Sequence, residues 1–408
     1  MNEEIIQSGG AFESPKDYRA VYVDEVFEQV AGTPSMPEEM FSPYTVAAYL
    51  KNGTNNQFAR QSCVGESGDK GGESLSVWEN TPDTVLDKDV IDYLFITENG
   101  KIRLKAEISE KIKNFSPTFI YYWAKQKDGI PNNDGTYLVM VGKIGQEIGF
   151  AEESLHPSNG ITSESAVRNT VPSKEANDNA ATHKIERYAQ SRNTLESWKQ
   201  GIAIGNANGI ILGYSLGGGS NVNTQPQTPP TSQPDSGHAN WGFGYDKDYV
   251  YSIGSWTENY GLTLYLKVFI HPKFGKIFVR GTAMDCVVAI RGCHQISRAW
   301  FPQYAFQGVM LYDKKFTPEL EKRMAMLKTM REDVTGRVFA ILAGKRYWVT
   351  PGGAPGTTYE DGRGRVWQDV SPDQIPAYSR PEIRQYPLGG IWGKPSWAEF
   401  LSLLMGQI

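Results

Sequence analysis

The chain has 408 residues, with 41 basic against 46 acidic side chains, 42 Gly, 23 Pro and 12% aromatic residues. That mixture excludes collagen, coiled coil and general disorder, and a net charge of −5 excludes a global field drawing the protein onto nucleic acid or anionic lipid. Three Cys are too few for a disulfide framework, so each thiol is weighed as chemistry.

Met1 to Ile6 lack the basic start and apolar core of a secretory signal, and no uncharged apolar run reaches the roughly 18 residues of a membrane span. The expectation is a cytoplasmic protein, or one packaged into a virion assembled there, with reduced thiols and neither membrane nor nucleic acid as partner. Residues 1–40 read as an extended lead-in whose apolar cluster, Tyr18 to Phe27, packs on a domain. Helices are expected at Asp87–Leu94, after Ser116-Pro117, and from Tyr137 to Ile148 with Gly149 as its stop. Residues 151–185 read as polar and turn-rich, Leu195–Ala203 as a helix and Gly209–Leu216 as a buried strand. A Gly, Asn, Gln, Thr and Pro tract from 217 to 237 reads as a long surface loop, followed by strands at Ala239–Tyr245, Tyr249–Ile253, Leu262–Ile270 and Lys276–Arg280. Helices first and strands later predict an α+β fold with segregated layers, over residues 41–310. An appendage of small α/β type is expected over 311–408, with an amphipathic helix at Pro318–Val334, a hairpin of Val338–Leu342 and Arg346–Thr350, and a closing helix at Pro395–Met405. It carries no catalytic constellation and reads as a docking module for a partner.

The thiols differ in their surroundings. Cys286 and Cys293 are seven residues apart with His294 beside the second, a spacing that fits no paired metal motif, so both read as ordinary thiols and no metal site is expected. Cys63 instead lies in Gln57-Phe58-Ala59-Arg60-Gln61-Ser62-Cys63-Val64-Gly65, six residues after an amide side chain. Among the histidines, His156, His183 and His271 read as solvated or capping. His238 sits among small residues in Ser236-Gly237-His238-Ala239, which leaves its imidazole reachable. A thiolate nucleophile needs an imidazole to hold its proton and donors for the developing oxyanion, and Cys63, His238 and Gln57 supply these three functions.

Several motifs, in order, resemble the papain-like cysteine peptidases of bacterial and phage type. Gln57 and Ser62-Cys63 match the family's Gln-to-Cys spacing. Phe115-Ser116-Pro117-Thr118-Phe119-Ile120-Tyr121-Tyr122 resembles its Leu-Ser-Pro-x-Phe-x-Tyr-Tyr helix. Asp128 to Gly135 resembles the loop before the Gly-Gly of the substrate cleft, and Lys143 to Gly149 the helix after it. Gly237-His238-Ala239 with Gly242-Phe243-Gly244-Tyr245 resembles the strand of the catalytic His, and Ser255-Trp256 the Ser-Trp of the family's Asn-Ser-Trp. The resemblance spans roughly residues 15–285. It implies a two-lobe fold, helical plus antiparallel β, with Cys63, His238 and Gln57 catalytic, Gly135 and Trp256 lining the substrate site, no cofactor and a polypeptide substrate.

The departures are specific. Gly254 stands where the family has the Asn that orients the imidazole, leaving Asn240, Asp246 and Asn259 as candidates for that role. Four Gly follow Cys63 within nine residues, which predicts a short or broken helix. His238 follows Cys63 by about 175 residues, against the usual 130–150, an excess read as loop insertion. Only 62 residues precede Cys63, so control by a long inhibitory prosegment is not expected. The expected function is hydrolysis of peptide or isopeptide bonds by a Cys-His dyad. The competing expectation is a papain-like structural or cargo protein of a phage particle with weak or no peptidase activity.

Overall fold

The structure is a computed structural model and describes residues 10–15, 36–58, 60–217, 236–301 and 303–313, together with the backbone of six strands between 328 and 392. It divides into two compact units, residues 1–315 and 316–408.

In the first unit, helix α1 (Pro43–Asn52) starts where the Ser42 hydroxyl accepts from the Thr45 N–H, with Pro43 at the first helical position. Helix α2 (Cys63–Glu79) is an uninterrupted 17-residue helix, which corrects the expectation of a short or broken one. Its glycines are where other elements come closest. A Cβ at Gly65 would lie 2.4 Å from the Pro117 carbonyl oxygen, at Gly71 3.0 Å from the Trp241 ring and at Gly72 2.9 Å from the Phe115 ring. Each Gly costs about 1 kcal/mol of propensity, and the tight packing it permits on every side offsets that cost. Helix α3 (Pro117–Lys127) begins as expected, with Ser116 accepting from the Phe119 N–H, and α4 (Met140–Glu147) ends before Gly149, whose φ of +99° suits only glycine. Short helices at Glu164–Asn169 and Lys174–Ala180 occupy part of the stretch read as turns, each capped by a Ser side chain. Helix α5 covers Leu195–Ile204.

Strands β1 (Ala11–Phe12) and β2 (Met40–Phe41) precede the helices, the hairpin β3 (Phe95–Glu98) and β4 (Lys101–Leu104) interrupts them, and β5 (Thr136–Tyr137) pairs with β1 in parallel. The remaining strands are β6 (Arg187–Ser191), β7 (Ile210–Leu216), β8 (Ser236–Tyr245), β9 (Tyr249–Ile253), β10 (Leu262–His271), β11 (Gly275–Arg280), β12 (Val288–Ser297) and β13 (Ala305–Tyr312). They form an antiparallel sheet in the order β2-β11-β10-β12-β9-β8-β7-β13-β6. Because β2 also pairs with β8, strands β8 to β12 close on themselves through β2. Phe41, Phe243, Tyr251 and Phe278 fill the interior of that closed part. The fold is therefore α+β, a helical lobe plus an antiparallel β lobe, as the motif order implied. Strands β12 and β13 had no counterpart in the sequence reading.

The second unit contains a four-stranded sheet of Lys328–Arg331, Val338–Leu342, Lys345–Val349 and Leu388–Trp392, and a separate pair, Thr358–Glu360 with Val366–Gln368. The expected hairpin is present. Residues 328–331, read as part of an amphipathic helix, are instead a strand, because Lys328 to Arg331 pair with Val338 to Ile341. The Pro395–Met405 helix, the body of the 217–237 tract and the Tyr18–Phe27 cluster lie outside the described residues.

Candidate active site

Cys63 is the first residue of α2, fully buried, where the unpaired N–H groups of a helix start favour an anion. Behind it, Glu66 accepts from Arg60 Nη2 at 2.8 Å and from the Ser62 hydroxyl at 3.0 Å. Gln57 is anchored on both sides. Its Nε2 donates to the Arg60 carbonyl at 3.0 Å, and its Oε1 accepts from the Ser255 hydroxyl. The backbone pairs there as well, Gln57 N–H to Ser255 O at 2.8 Å and Thr257 N–H to Asn55 O at 3.0 Å, so the Gln57 loop and the Trp256 loop are tied together.

His238 lies on β8, opposite Tyr214 of β7, and is fully buried. The Trp256 ring stacks on its imidazole, with centroids 4.0 Å apart and planes at 10°. The Tyr214 ring meets it edge-on at 5.7 Å. Neither ring nitrogen of His238 has a partner in ordinary hydrogen-bond geometry. The Cys63 sulfur lies against the backbone N–H of Ala239, the residue after His238, so thiol and imidazole come from neighbouring walls. Of the expected residues, Cys63, Gln57, His238 and Trp256 are thus gathered at the junction of α2 with β8 and the Trp256 loop.

Gly135 lies against Gly10, where a Cβ on Gly135 would come 2.3 Å from the Gly10 carbonyl oxygen. Its N–H donates to the Tyr121 hydroxyl at 2.8 Å and its carbonyl accepts from Lys125 Nζ at 2.8 Å, so both backbone groups are used within the helical lobe. The pairing edge is the next residue. Thr136 N–H donates to Gly10 O at 2.8 Å and Leu138 N–H to Phe12 O at 3.1 Å.

That pairing places β1 over the site. The Gly10 N–H points at the Cys63 sulfur, a Cβ at Gly10 would lie 2.0 Å from the Gln61 carbonyl oxygen, and one at Gly237 would lie 2.0 Å from the Ala11 carbonyl oxygen. The segment is fastened beyond the cleft by Ser14, whose hydroxyl donates to Gln307 at 2.8 Å and accepts from the Val139 N–H at 3.1 Å. This cover is the short stretch of residues 10–15, and the expectation concerned a long inhibitory prosegment. The cover presents the Gly10 N–H to the sulfur, while the Gly10 carbonyl is turned to Thr136.

Burial sets the protonation of the covered pair. Loss of water pushes the Cys63 thiol up to about 12, against the helping N–H groups of Gly10 and Ala239, and pushes His238 well below the usual range. Under the cover the two groups are therefore a neutral thiol and a neutral imidazole.

The residue missed by sequence reasoning is His294. It sits on β12, fully buried, with its ring 5.5 Å from that of Trp256. A Cβ at Gly254 would lie 2.6 Å from His294 Nε2, so the imidazole fills the space that a side chain at 254 would need. Its signal in the sequence was its place in a β-branched run, Val287-Val288-Ala289-Ile290, hidden by the interruption at Gly292. Asn240 bridges the histidines' strands, its Nδ2 2.8 Å from the Tyr214 hydroxyl and 2.9 Å from His294 Nδ1. Asp246 and Asn259 do not reach the imidazole: Asp246 binds the Tyr251 hydroxyl and Arg280, and Asn259 lies in an exposed turn.

The remaining candidates are structural. Cys286 contacts Lys101 Nζ at 3.2 Å, and Cys293 leans on the Ile290 carbonyl. His271 Nδ1 accepts from the N–H groups of Lys273 and Phe274, a capping role as expected. His156 is buried against Phe119, which corrects its reading as solvated or capping. Among the described residues no group of three or more His, Cys, Asp and Glu side chains is arranged to hold a metal, and no helix is long and apolar enough to cross a membrane.

No family model and no curated protein sequence matches the chain. Solved structures do. Xylellain, a cysteine protease from Xylella fastidiosa, is 16% identical, covering 76% of this chain and 97% of its own at a TM-score of 0.48. Procathepsin B S9 from Trypanosoma congolense is 12% identical over 71% and 85% at 0.39. The bromelain protease from Ananas comosus is 14% identical over 68% and 100% at 0.39.

Proposed function

We propose that the protein is a cysteine peptidase that hydrolyses peptide or isopeptide bonds in a polypeptide substrate, with Cys63 as nucleophile and His238 as base. The observation that carries this reading is the meeting of three separate chain segments: the stretch that holds the Gln57 amide and the thiol at the start of α2, the strand β8 with its imidazole, and the Trp256 loop whose ring stacks on that imidazole. With β1 displaced, water and substrate reach the thiol, its proton passes to His238, and the sulfur bonds to the substrate carbonyl carbon. The oxyanion is held by the Cys63 N–H and the Gln57 amide. The imidazolium then protonates the leaving amine, and a water activated by the same imidazole hydrolyses the thioester and restores the thiol. Trp256 covers the face of the imidazole and keeps bulk water from it.

A second reading, a structural or cargo role with weak or no activity, is favoured by one observation: thiol and imidazole are both fully buried. An epoxysuccinyl thiol-protease probe separates the two. Incubated with the full-length protein carrying Gly10→Val, which cannot seat β1 against Gln61, the probe is expected to label one site, and Cys63→Ala in the same background to abolish the label. A folded Gly10→Val protein without Cys63-dependent labelling overturns the peptidase reading.

A further inference from the structure

The position that should orient the catalytic imidazole is Gly254, which has no side chain, yet that space is neither empty nor apolar. His294 Nε2 occupies it, and the ring reaches from there to Asn240 through Nδ1. Asn240 is two residues after His238 on β8, so both side chains leave the same face of the strand. Its amide nitrogen lies in donating reach of the Tyr214 hydroxyl at 2.8 Å and the Ser252 hydroxyl at 3.3 Å, and 2.9 Å from His294 Nδ1. An amide with its nitrogen end so engaged has its carbonyl end fixed, and Asn240 Oδ1 is fully buried and has no hydrogen-bond partner. The two ring nitrogens of His238 are buried and unpartnered as well.

We infer that Asn240 is the positioning residue for His238, its Oδ1 accepting the imidazole N–H, and that His294 and Tyr214 hold the amide in that orientation in place of a side chain at 254. This rests on the peptidase reading above. A neutral His294, which burial holds down at about 3, offers Nδ1 as an acceptor in its Nε2–H tautomer, and in that tautomer it selects the amide orientation that turns Oδ1 away from it, the orientation in which the amide nitrogen also reaches the Tyr214 hydroxyl. The proximity of Asn240 already favours the protonated form of His238, against the larger effect of burial and the repulsion of His294. The other titratable groups near His238 are Tyr214 and Cys63, both held neutral by burial. An apo hydrogen bond that is long or poorly aligned shortens when the site is engaged, which is the state in which the imidazolium needs its acceptor.

The test is the pH profile of Cys63 labelling by the epoxysuccinyl probe, in full-length protein carrying Gly10→Val. Asn240→Ala is expected to lower the maximal rate roughly 10²-fold, the scale of a general acid–base contribution, and to move the upper limb of the profile to lower pH. Asn240→Asp, an anionic acceptor, is expected to move that limb to higher pH, and His294→Ala to lower the rate by a smaller factor. A lost label in His238→Ala beside an unchanged rate and profile in Asn240→Ala overturns this inference and leaves the peptidase reading standing. Labelling indifferent to His238→Ala overturns both. Should Asn240→Ala fail to fold, Asn240→Asp decides alone: an upper limb that does not rise overturns the inference.

Discussion

The two walls that meet at Cys63 are made of opposite materials. On the α2 side, ionisable groups are buried together: Arg60 with Glu66 at 2.8 Å and Lys70 with Glu73 at 2.7 Å, while Asp69 accepts from the Asn55 amide at 2.6 Å. On the β side, the buried polar groups of His238, Asn240, His294 and Trp256 are neutral rings and an amide; both walls hold polar atoms without a hydrogen-bond partner, Arg60 Nε, Glu66 Oε2 and Asp69 Oδ1 on the first, so the difference between them is charge. A buried ion pair stays put because losing either partner strands a charge. A neutral imidazole with unused nitrogens can change protonation when its surroundings change. The helix side is therefore a platform and the β side is where a reactive state is made. Substitutions on the first should read out as stability, and on the second as reactivity.

Breaking the platform should have the largest effect. Arg60→Met leaves the Glu66 carboxylate buried without its cation, and a loss of about 3–5 kcal/mol in denaturant unfolding is expected. The double substitution Arg60→Met with Glu66→Leu should recover most of it, and an equal loss in both would mean that the charge pairing is not what holds that wall. Gly65→Val should cost about 1–3 kcal/mol, because its side chain meets the backbone of Pro117, which cannot swing aside. A melting temperature unchanged by Gly65→Val would remove the packing account of the glycines in α2.

On the reactive side, Gly10→Val should raise the rate of probe labelling at Cys63 at least tenfold over the unsubstituted protein, equivalent to about 1.4 kcal/mol of cover stability. Equal rates would mean that β1 is not what shields the thiol. The smallest effect concerns Glu153, which binds the Ser158 N–H and hydroxyl and is pushed up to about 7 by burial. A carboxyl raised in the folded state stabilises fully below its unfolded value near 4.5, and that contribution is lost as pH rises through 7. Unfolding midpoints should therefore fall between about pH 5 and 8, less so in Glu153→Gln, and identical slopes in the two proteins would contradict this assignment.

Much of this was legible from residues. Ser116 before Pro117, the stop at Gly149 and the runs forming β7 to β11 are local signals, and local signals survive in a folded chain. The α2 helix was not legible, because propensity charges for each Gly while the compensating contacts come from residues such as Pro117 and Trp241, far away in sequence. For the same reason β1 was missed: its partner Thr136 is more than a hundred residues distant, and two residues carry no period. His294 was set aside with Cys293 as a poor metal motif. Its role depends on Gly254 having no side chain, a relation that only the pairing of β9 with β12 brings about.

The central claim is that Cys63 and His238 act together on a peptide bond. Mass spectrometry of an unfolded protein substrate, incubated with full-length Gly10→Val protein, tests it most directly. New peptide ends that vanish with Cys63→Ala and with His238→Ala are the expected result. An uncut substrate, from protein that is folded and whose Cys63 reacts with iodoacetamide, would contradict it.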